Sequence, residues 1–191
     1  RQLQSLASSR AYLNMSRAGQ TRLDHLIPLL LGAVGGRNEP DQTLVRLLRI
    51  VEAIGRRSSY IALLVENPMA LSQLVRLCSA SPWIASQLSR NPHLLDELLD
   101  PRTLYSPPPR DAIHNEVRQR LMHIDGEDLE AQMEVLRRIK QAAVLRVAAA
   151  DVMEAVPLMV VSDHLTEIAE VMVEAAFDLA WRHLVARHGR P

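Results

Sequence analysis

Histidine, cysteine and carboxylate side chains are the groups with which this sequence could bind a metal or do acid–base chemistry. The seven histidines are His25, His93, His114, His123, His164, His183 and His188. No two of them lie four residues apart and no His-Glu-x-x-His motif occurs, although a zinc site on a helix needs that spacing. With a single cysteine, a structural zinc site is not expected either. The sequence therefore predicts no metal ligands in this chain.

A nucleophile beside a base is a second arrangement that could do chemistry. Cys78 lies among leucines in the segment LVRLCSA, which favours a small buried apolar residue over a reactive thiolate. Asp163-His164 has two of the residue types of a catalytic triad. An acid there is also typical of the first turn of a helix, where it faces the positive end of the dipole. We therefore expect no catalytic residue in either segment.

Sites for phosphate groups and hard cations need glycine-rich loops or clustered carboxylates. No Gly-x-x-x-x-Gly-Lys or Gly-x-Gly-x-x-Gly motif is present, and neither a Gly-Ser dipeptide nor an Asp-x-Asp motif occurs. These absences exclude the usual nucleotidyltransferase signature within these residues. Asp96, Glu97 and Asp100 form an acidic cluster, which we interpret as a solvated helix face because no fixed loop holds the three together.

Three charged residues lie on or beside the apolar arc of a long predicted helix. Lys140, the only lysine in the chain, and Asp151 fall on the same arc three turns apart, and Arg146 lies at its edge. Arg146 and Asp151 are about 140° apart around the helix, so they cannot easily pair with each other. A buried charge needs a partner, which either other helices of this domain or a neighbouring domain would supply. Both alternatives stay open at this point.

Trp181 projects away from the predicted core of the last helix, close to Asp163 and Glu174. An exposed tryptophan near the end of the chain indicates a surface that another domain covers. The alternative is a second contact inside this domain. We expect the ring to be at least partly accessible to solvent in the isolated chain.

Charge and composition limit the possible function classes. The 22 basic residues balance 22 acidic residues, and aromatic residues make up 3% of the chain. A nucleic-acid-binding domain needs cations for phosphates or aromatic platforms for bases, so no nucleic-acid partner is expected. No apolar run approaches about 18 residues, so no membrane partner is expected. One cysteine suits a reducing compartment, which predicts a cytoplasmic protein.

Helix formers dominate the sequence, and no segment alternates apolar and polar residues as a strand would. We predict an all-α fold, an irregular multi-helix bundle in which several short stacked helices precede long helices. Stop signals predict helices over about 3–16, 20–33, 41–56, 68–79, 82–89, 92–99, 110–123, 127–155 and 163–187. Asn67, Ser81 and Asn91 each precede a proline, so we expect their side chains to cap the following helices. Asp41 is predicted to cap its helix in the same way.

Pro107-Pro108-Pro109 marks a predicted boundary, because consecutive prolines favour a stiff extended chain. We predict an N-terminal subdomain of short helices over 1–100, a proline-rich connector over 101–109, and a long-helix subdomain over 110–191.

Helical periodicity predicts two core stripes in the last subdomain. They are Leu129, Met133, Leu136, Ile139, Ala143 and Val147 on one helix, and Leu165, Ile168, Ala169, Met172, Ala176, Leu179 and His183 on the next. The first residues of the chain are RQLQSLASSR. They include neither an initiator methionine nor the apolar segment of a signal peptide, so we expect the chain to be a piece of a longer protein.

Long segments of the chain carry a resemblance to a known family. The runs SPWIASQLSRNPHLLDELLDPRTLYSPPPR and DLEAQMEVLRRIKQAAVLRVAAADVMEAVPLMVVSDHLTEIAE resemble the glutamine synthetase adenylyltransferases. The earlier run RLLRIVEAIGRRSSYIALLVENPMALSQLVRLCSAS is similar to the same family. Its members are large two-headed bacterial enzymes that attach AMP to glutamine synthetase and remove it. The resemblance covers nearly the whole chain, and NPHLLDELLDP is a specific part of it.

The resemblance implies a position between the two nucleotidyltransferase heads, leading into the second head. It implies a non-catalytic regulatory or scaffold segment, with ATP and magnesium belonging to the parent protein and no cofactor in this chain. The implied partners are the adjacent heads, glutamine synthetase and the PII signal protein, and the alternative is a module that docks one of these two proteins directly. The head's Gly-Ser and Asp-x-Asp motif, expected after His188-Gly189, is absent here. No catalytic residue is therefore transferred to this chain.

Overall fold

The computed structural model describes residues 2–55 and 57–190, and all regular structure within these ranges is helical. The elements are α1 (Gln2–Ala7), α2 (Arg10–Leu13), α3 (Arg17–Val34), α4 (Pro40–Ile54), α5 (Ser58–Glu66), α6 (Pro68–Ala80), α7 (Pro82–Arg90), the 3₁₀ helix η1 (Pro92–Leu99), α8 (Pro101–Leu104), α9 (Arg110–Leu121), α10 (Leu129–Val152) and α11 (Leu158–His188). The all-α prediction is confirmed. The two longest helices, α10 and α11, come last, as predicted.

The chain divides into two compact units, Arg1–Pro101 and Arg102–Pro191. The predicted division into subdomains with separate functional roles stays a prediction. Within the predicted connector over 101–109, the expectation of an extended chain is wrong for the first four residues, which form α8. Pro101 allows this, because proline loses nothing at the first position of a helix. Pro109 has φ −69° and ψ 158°, the polyproline conformation expected there.

Leucine and isoleucine side chains from five helices fill the core of the first unit. The largest fully buried ones are Leu23, Leu26 and Leu30 on α3, Leu47, Ile50 and Ile54 on α4, Ile61 and Leu64 on α5, Leu74 and Leu77 on α6, and Ile84 and Leu88 on α7. Among the described residues, no single helix combines the length and apolarity needed to cross a bilayer. Ser59–Glu66 and Pro68–Ala80 reach that combination only as a pair, bent by 100° at the break between them.

Of the three predicted caps, Asn67, Ser81 and Asn91, only Ser81 caps the helix after it. The Ser81 hydroxyl accepts the Ile84 amide at 3.3 Å, as predicted. Asn67 instead donates from Nδ2 to the Leu63 carbonyl at 2.9 Å, and Asn91 donates likewise to the carbonyl four residues before it. The two asparagines therefore close the preceding helix, because their amide groups are donors as well as acceptors. The prediction that they cap the following helices is wrong.

Several helix boundaries also differ from the prediction. The helix predicted over 3–16 is broken into α1 and α2, because Ser9 caps α2 through the Tyr12 amide. Helix α5 was not predicted. Helix α4 begins at Pro40 with no side-chain cap, so the predicted Asp41 cap is wrong. Helix α11 begins at Leu158 rather than after Ser162, because its first four residues are apolar and carry no capping signal.

Helix α10 ends at Val152 in a turn that normally contains glycine. Glu154 has φ 54°, and it is the only described residue other than glycine with a positive φ. The Ala155 amide donates to the Ala150 carbonyl at 2.8 Å, and the Glu154 amide donates to the Asp151 carbonyl at 2.9 Å. These two bonds are the Schellman motif. The helix was predicted to continue to 155 because no glycine marks this turn.

The second unit is built from α9, α10 and α11, each packed on the other two. Its buried core consists of Ile113, Val117, Leu136, Ile139, Ala143, Val147, Val161, Ile168, Val171 and Leu179. The stripe predicted on α10 is confirmed, since four of its residues are buried and Leu129 and Met133 pack against them. Asp128 holds the start of α10 by accepting the Ala131 amide at 2.9 Å.

Candidate interaction surface on the last helix

Helix α11 is apolar on two sides. Its core side, which includes Val161, Ile168, Val171 and Leu179, is buried against α9 and α10. The predicted core stripe is partly wrong, because Leu165 and Ala169 are exposed. Ala169 lies at the edge of the predicted stripe and Leu165 near its middle, and neither is covered by the neighbouring helices. The helix therefore keeps an apolar side that nothing in this unit covers.

We name this side the outer stripe. It consists of Leu158, Leu165, Val173, Phe177, Trp181 and Leu184, all exposed. At about 100° per residue these positions fall within an arc of about 160°. The exposed Ser162, Thr166 and Glu170 lie in the same arc, so its continuous apolar part runs from Val173 to Leu184, roughly 17 Å of helix. An exposed apolar patch of this size marks an interaction site more often than a single exposed leucine does.

Phe177 and Trp181 form the aromatic part of the outer stripe. Their ring centroids lie 6.4 Å apart and their planes are 13° from parallel. Phe177 is 65% exposed and Trp181 is 47% exposed, so the prediction of an accessible Trp181 ring is confirmed. Phe177 and Val173 were missed, although their spacing of four residues from Trp181 and from each other is a signal that the sequence contains.

An ion-pair network joins the acidic side of α11 to α9. Arg110 donates from Nη1 to Glu170 Oε2 and from Nη2 to Glu174 Oε1, the second at 2.8 Å. His114 Nε2 lies 3.4 Å from Glu174 Oε2. The hydrogen bond that Arg110 donates to Glu170 raises the pKa of Arg110, and the charge of Glu174 adds to this rise. The network therefore fixes α11 against α9 at the flank of the outer stripe.

A groove of about 340 Å³ lies between α9 and α11 next to this network. Its polar lining residues are His114, Arg118, Glu174, Asp178 and Arg182. Two guanidinium groups and two carboxylates can make polar contacts with a partner. The lining residues include no Ser, Thr, Cys or Lys, so the groove has neither a hydroxyl or thiol nor an amine nucleophile.

The other three residues proposed for interdomain contact lie on α10. Lys140 and Asp151 are exposed and Arg146 is half-buried. The expectation that Lys140 and Asp151 carry buried charges is therefore wrong, because the arc on which they lie is not covered at those two positions. Eleven residues, about 16 Å of helix, separate them, so they cannot contact each other. Their role in an interface, like that of Trp181, stays a prediction.

No group of three or more His, Cys, Asp or Glu side chains that could hold a metal ion occurs within residues 2–55 and 57–190. Magnesium needs clustered oxygen ligands. The described residues therefore do not fit the magnesium that the resemblance implies for the parent protein, and we derive no step through it.

Comparison with known proteins places the chain in a family. The family model for glutamate-ammonia ligase adenylyltransferase matches residues 71–191. A relative from Thioalkalivibrio sulfidiphilus is 51% identical over 99% of this chain, one from Nitrosococcus oceani is 55% identical over 92%, and one from Pseudomonas putida is 50% identical over the whole chain. Each is named as a bifunctional glutamine synthetase adenylyltransferase/adenylyl-removing enzyme. The chain spans 18–20% of the length of these relatives. It belongs to the glutamate-ammonia ligase adenylyltransferase family.

Proposed function

We propose that this chain is a non-catalytic helical segment of an enzyme that attaches AMP to glutamine synthetase and removes it. The segment positions the adenylyltransferase head of the same polypeptide. In this proposal the parent protein is cytoplasmic, and its heads, not this segment, use ATP and magnesium. The observation that carries the proposal is the identity of about 50% over nearly the whole chain to relatives with that name.

Observations in each of the two units support a structural role. Arg110 holds Glu170 and Glu174 in ion pairs, so these carboxylates serve packing between helices. The one cysteine, Cys78, is fully buried, and burial raises its pKa to about 12. A thiol in that state is not a nucleophile near neutral pH.

Transfer of AMP from labelled ATP to glutamine synthetase tests this proposal. We expect the full-length protein to label glutamine synthetase and the 191-residue chain alone to transfer none. Label transferred by the chain alone would show a catalytic site in it. Failure of the full-length protein to transfer label would remove the assigned reaction.

Substitutions in the proline run test whether the segment positions the adenylyltransferase head. Changing Pro107, Pro108 and Pro109 together to glycine removes the stiffness of polyproline and lets the chain bend freely. In the full-length protein we expect this change to alter the rate of AMP transfer while the ATP affinity stays the same. Changing the exposed Gly36 to Ala is the matched control, because a β-carbon there meets open space. An unchanged rate in the proline variant would count against positioning.

A docking module is the second candidate function, and the exposed outer stripe of α11 is the observation that favours it. In that case the segment binds glutamine synthetase or the PII protein directly. Pull-down with the 191-residue chain as bait separates the two candidates. Retention of either purified protein at micromolar concentration would favour docking, and retention of neither would favour a scaffold.

A further inference from the structure

The part of the outer stripe from Val173 to Leu184 is a continuous apolar surface on one helix. Val173, Phe177 and Trp181 follow one another at intervals of four residues, and each exposes roughly half or more of its area. The opposite side of the helix is buried in the core of the second unit. A helix that is apolar on both sides is typical of one enclosed on both sides.

Exposure alone does not make such a surface, as Trp83 shows. Trp83 is 46% exposed, close to the 47% of Trp181. The residues three, four and seven positions after it share its side of helix α7, and they are Ser86, Gln87 and Arg90. Trp83 is therefore a single apolar side chain beside polar ones, whereas α11 presents an apolar row on which a second helix can pack.

The charges of α11 change sign along the helix. All its carboxylates lie at or before Asp178, and its arginines are Arg182 and Arg187, with Arg190 directly after the helix. Two such helices running in the same direction would place like charges side by side, which is destabilising. Two helices running in opposite directions place the acidic part of one beside the basic part of the other. The charge pattern of α11 is thus complementary to its own reverse.

An antiparallel pair with its two-fold axis midway between Phe177 and Trp181 also matches the apolar side chains. Phe177 of each copy then lies level with Trp181 of the other, as an aromatic pair. Val173 lies within one residue, about 1.5 Å of rise, of the level of Leu184 in the other copy. These pairs fall on the same side of the two helices, because a two-fold axis keeps each flank beside its own copy.

The available area is sufficient for a specific contact. Val173, Phe177, Trp181 and Leu184 are 47–68% exposed, which corresponds to about 450–500 Å² of apolar surface per copy. Two copies would together bury about 1,000 Å², the lower limit for a biological interface. The ion pairs of Arg110 already fix α11 against α9, so little ordering accompanies association. A dimer with a dissociation constant in the micromolar range follows.

We propose that the outer stripe of α11 binds a second copy of this chain, as an antiparallel and two-fold symmetric helix pair with Phe177 and Trp181 at its centre. Each copy contributes the same surface, so the association stops at two copies. The inference does not rest on the proposed function, because no step of it uses AMP transfer.

Sedimentation velocity of the 191-residue chain at about 1–300 µM tests the association. We expect monomer at the low end and dimer at the high end. Phe177→Ser with Trp181→Ser should raise the dissociation constant at least about tenfold, whereas Trp83→Ser, which removes an equally exposed tryptophan, should leave it unchanged. Circular dichroism checks that each variant is helical. A chain that stays monomeric throughout, or equal effects of the two variants, would leave the stripe to a different protein and overturn the proposal.

Disulfide cross-linking tests the direction of the pair. Cys78 is fully buried and gives little background. The exposed Ala180 lies close to the axis, so chains with Ala180→Cys should cross-link to each other. Chains with Val173→Cys should not, because about 18 Å of helix separates the two positions and a disulfide spans less than about 7 Å between Cα atoms.

A mixture of two single-cysteine chains completes the cross-linking test. Val173→Cys and Leu184→Cys lie almost level in the antiparallel pair, so the mixture should give a cross-linked heterodimer. Cross-linking of Val173→Cys to itself as fast as in the mixture would show a parallel pair and overturn the proposal. Absence of any cross-link at Ala180→Cys and in the mixture would overturn it as well.

Discussion

The guanidinium of Arg46 on α4 donates from Nη1 to the Cys78 carbonyl at 2.8 Å and to the Ser79 carbonyl at 3.1 Å. Both carbonyls lie in the last turn of α6, where the helix itself offers no partner. A cation at this end also faces the negative end of the helix dipole. Arg46 therefore joins α4 to the end of α6 over 32 positions of sequence.

We expect Arg46→Met to lower the free energy of unfolding by about 1–2 kcal/mol, because the methionine keeps the apolar stem and loses the charged donor. Urea denaturation followed by circular dichroism measures the change. Arg49→Met is the control, since Arg49 is exposed on the same helix. Equal effects of the two changes would contradict the role assigned to Arg46.

Cys78 is predicted to be inert in the folded protein. Burial raises the pKa of its thiol from 9.0 to about 12, and the nearby Arg46 lowers it only in part. Labelling by a disulfide reagent should therefore be slow in the native protein and should not accelerate between pH 7 and 9, whereas the unfolded protein should react at once. Rapid native labelling that rises over this range would refute the prediction.

The raised pKa of Cys78 predicts how the stability of the protein changes at alkaline pH. The folded-state pKa of Cys78 lies above the unfolded value, so the folded state keeps its proton longer. The contribution to stability is fully present below about pH 9 and is lost as pH rises from 9 toward 12. In Cys78→Ala the loss of stability over that range should be smaller than in the parent protein.

Glu154→Gly is expected to stabilise the protein by about 1 kcal/mol, because a glycine has no β-carbon to clash at positive φ. Glu154→Ala is the matched control, which removes the charge but keeps the β-carbon. Thermal unfolding of the two variants gives the comparison. A gain of the same size in both would show that charge, and not backbone conformation, is responsible.

Arg110→Met should lower the midpoint of urea denaturation slightly at low ionic strength, because its ion pairs with Glu170 and Glu174 are partly exposed to solvent. The effect should shrink in about 1 M salt, where screening acts over about 3 Å. Arg118→Met, an exposed arginine two turns later on α9, serves for comparison. A cost that does not depend on salt would mean that the ion pairs are not its source.

Helical periodicity correctly predicted which side of a helix faces the core. Leu136, Ile139 and Ala143 were placed correctly in the core because their spacing alone determines the side on which they lie. Lys140 was placed wrongly, because the depth of burial depends on how far the neighbouring helices reach. No position on a helical wheel contains that information.

Three features of the structure could not be predicted from the residue types alone. Nothing near Arg46 indicates that its partner lies at the end of α6, and Glu154 lacks the glycine that marks a turn of its kind. Asn67 had the residue type of a cap, yet its amide bonds backwards to Leu63. The candidate surface was found only at Trp181, although Val173 and Phe177 repeat its spacing.

The chain contains two tryptophans, and the division into units assigns one to each. Trp83 and Trp181 are almost equally exposed, so each should emit with a similar, solvent-shifted spectrum. Replacing either one by phenylalanine leaves a single intrinsic fluorophore that reports on its own half of the molecule. Stopped-flow mixing with denaturant would then measure the unfolding rate of each unit separately, without an attached dye.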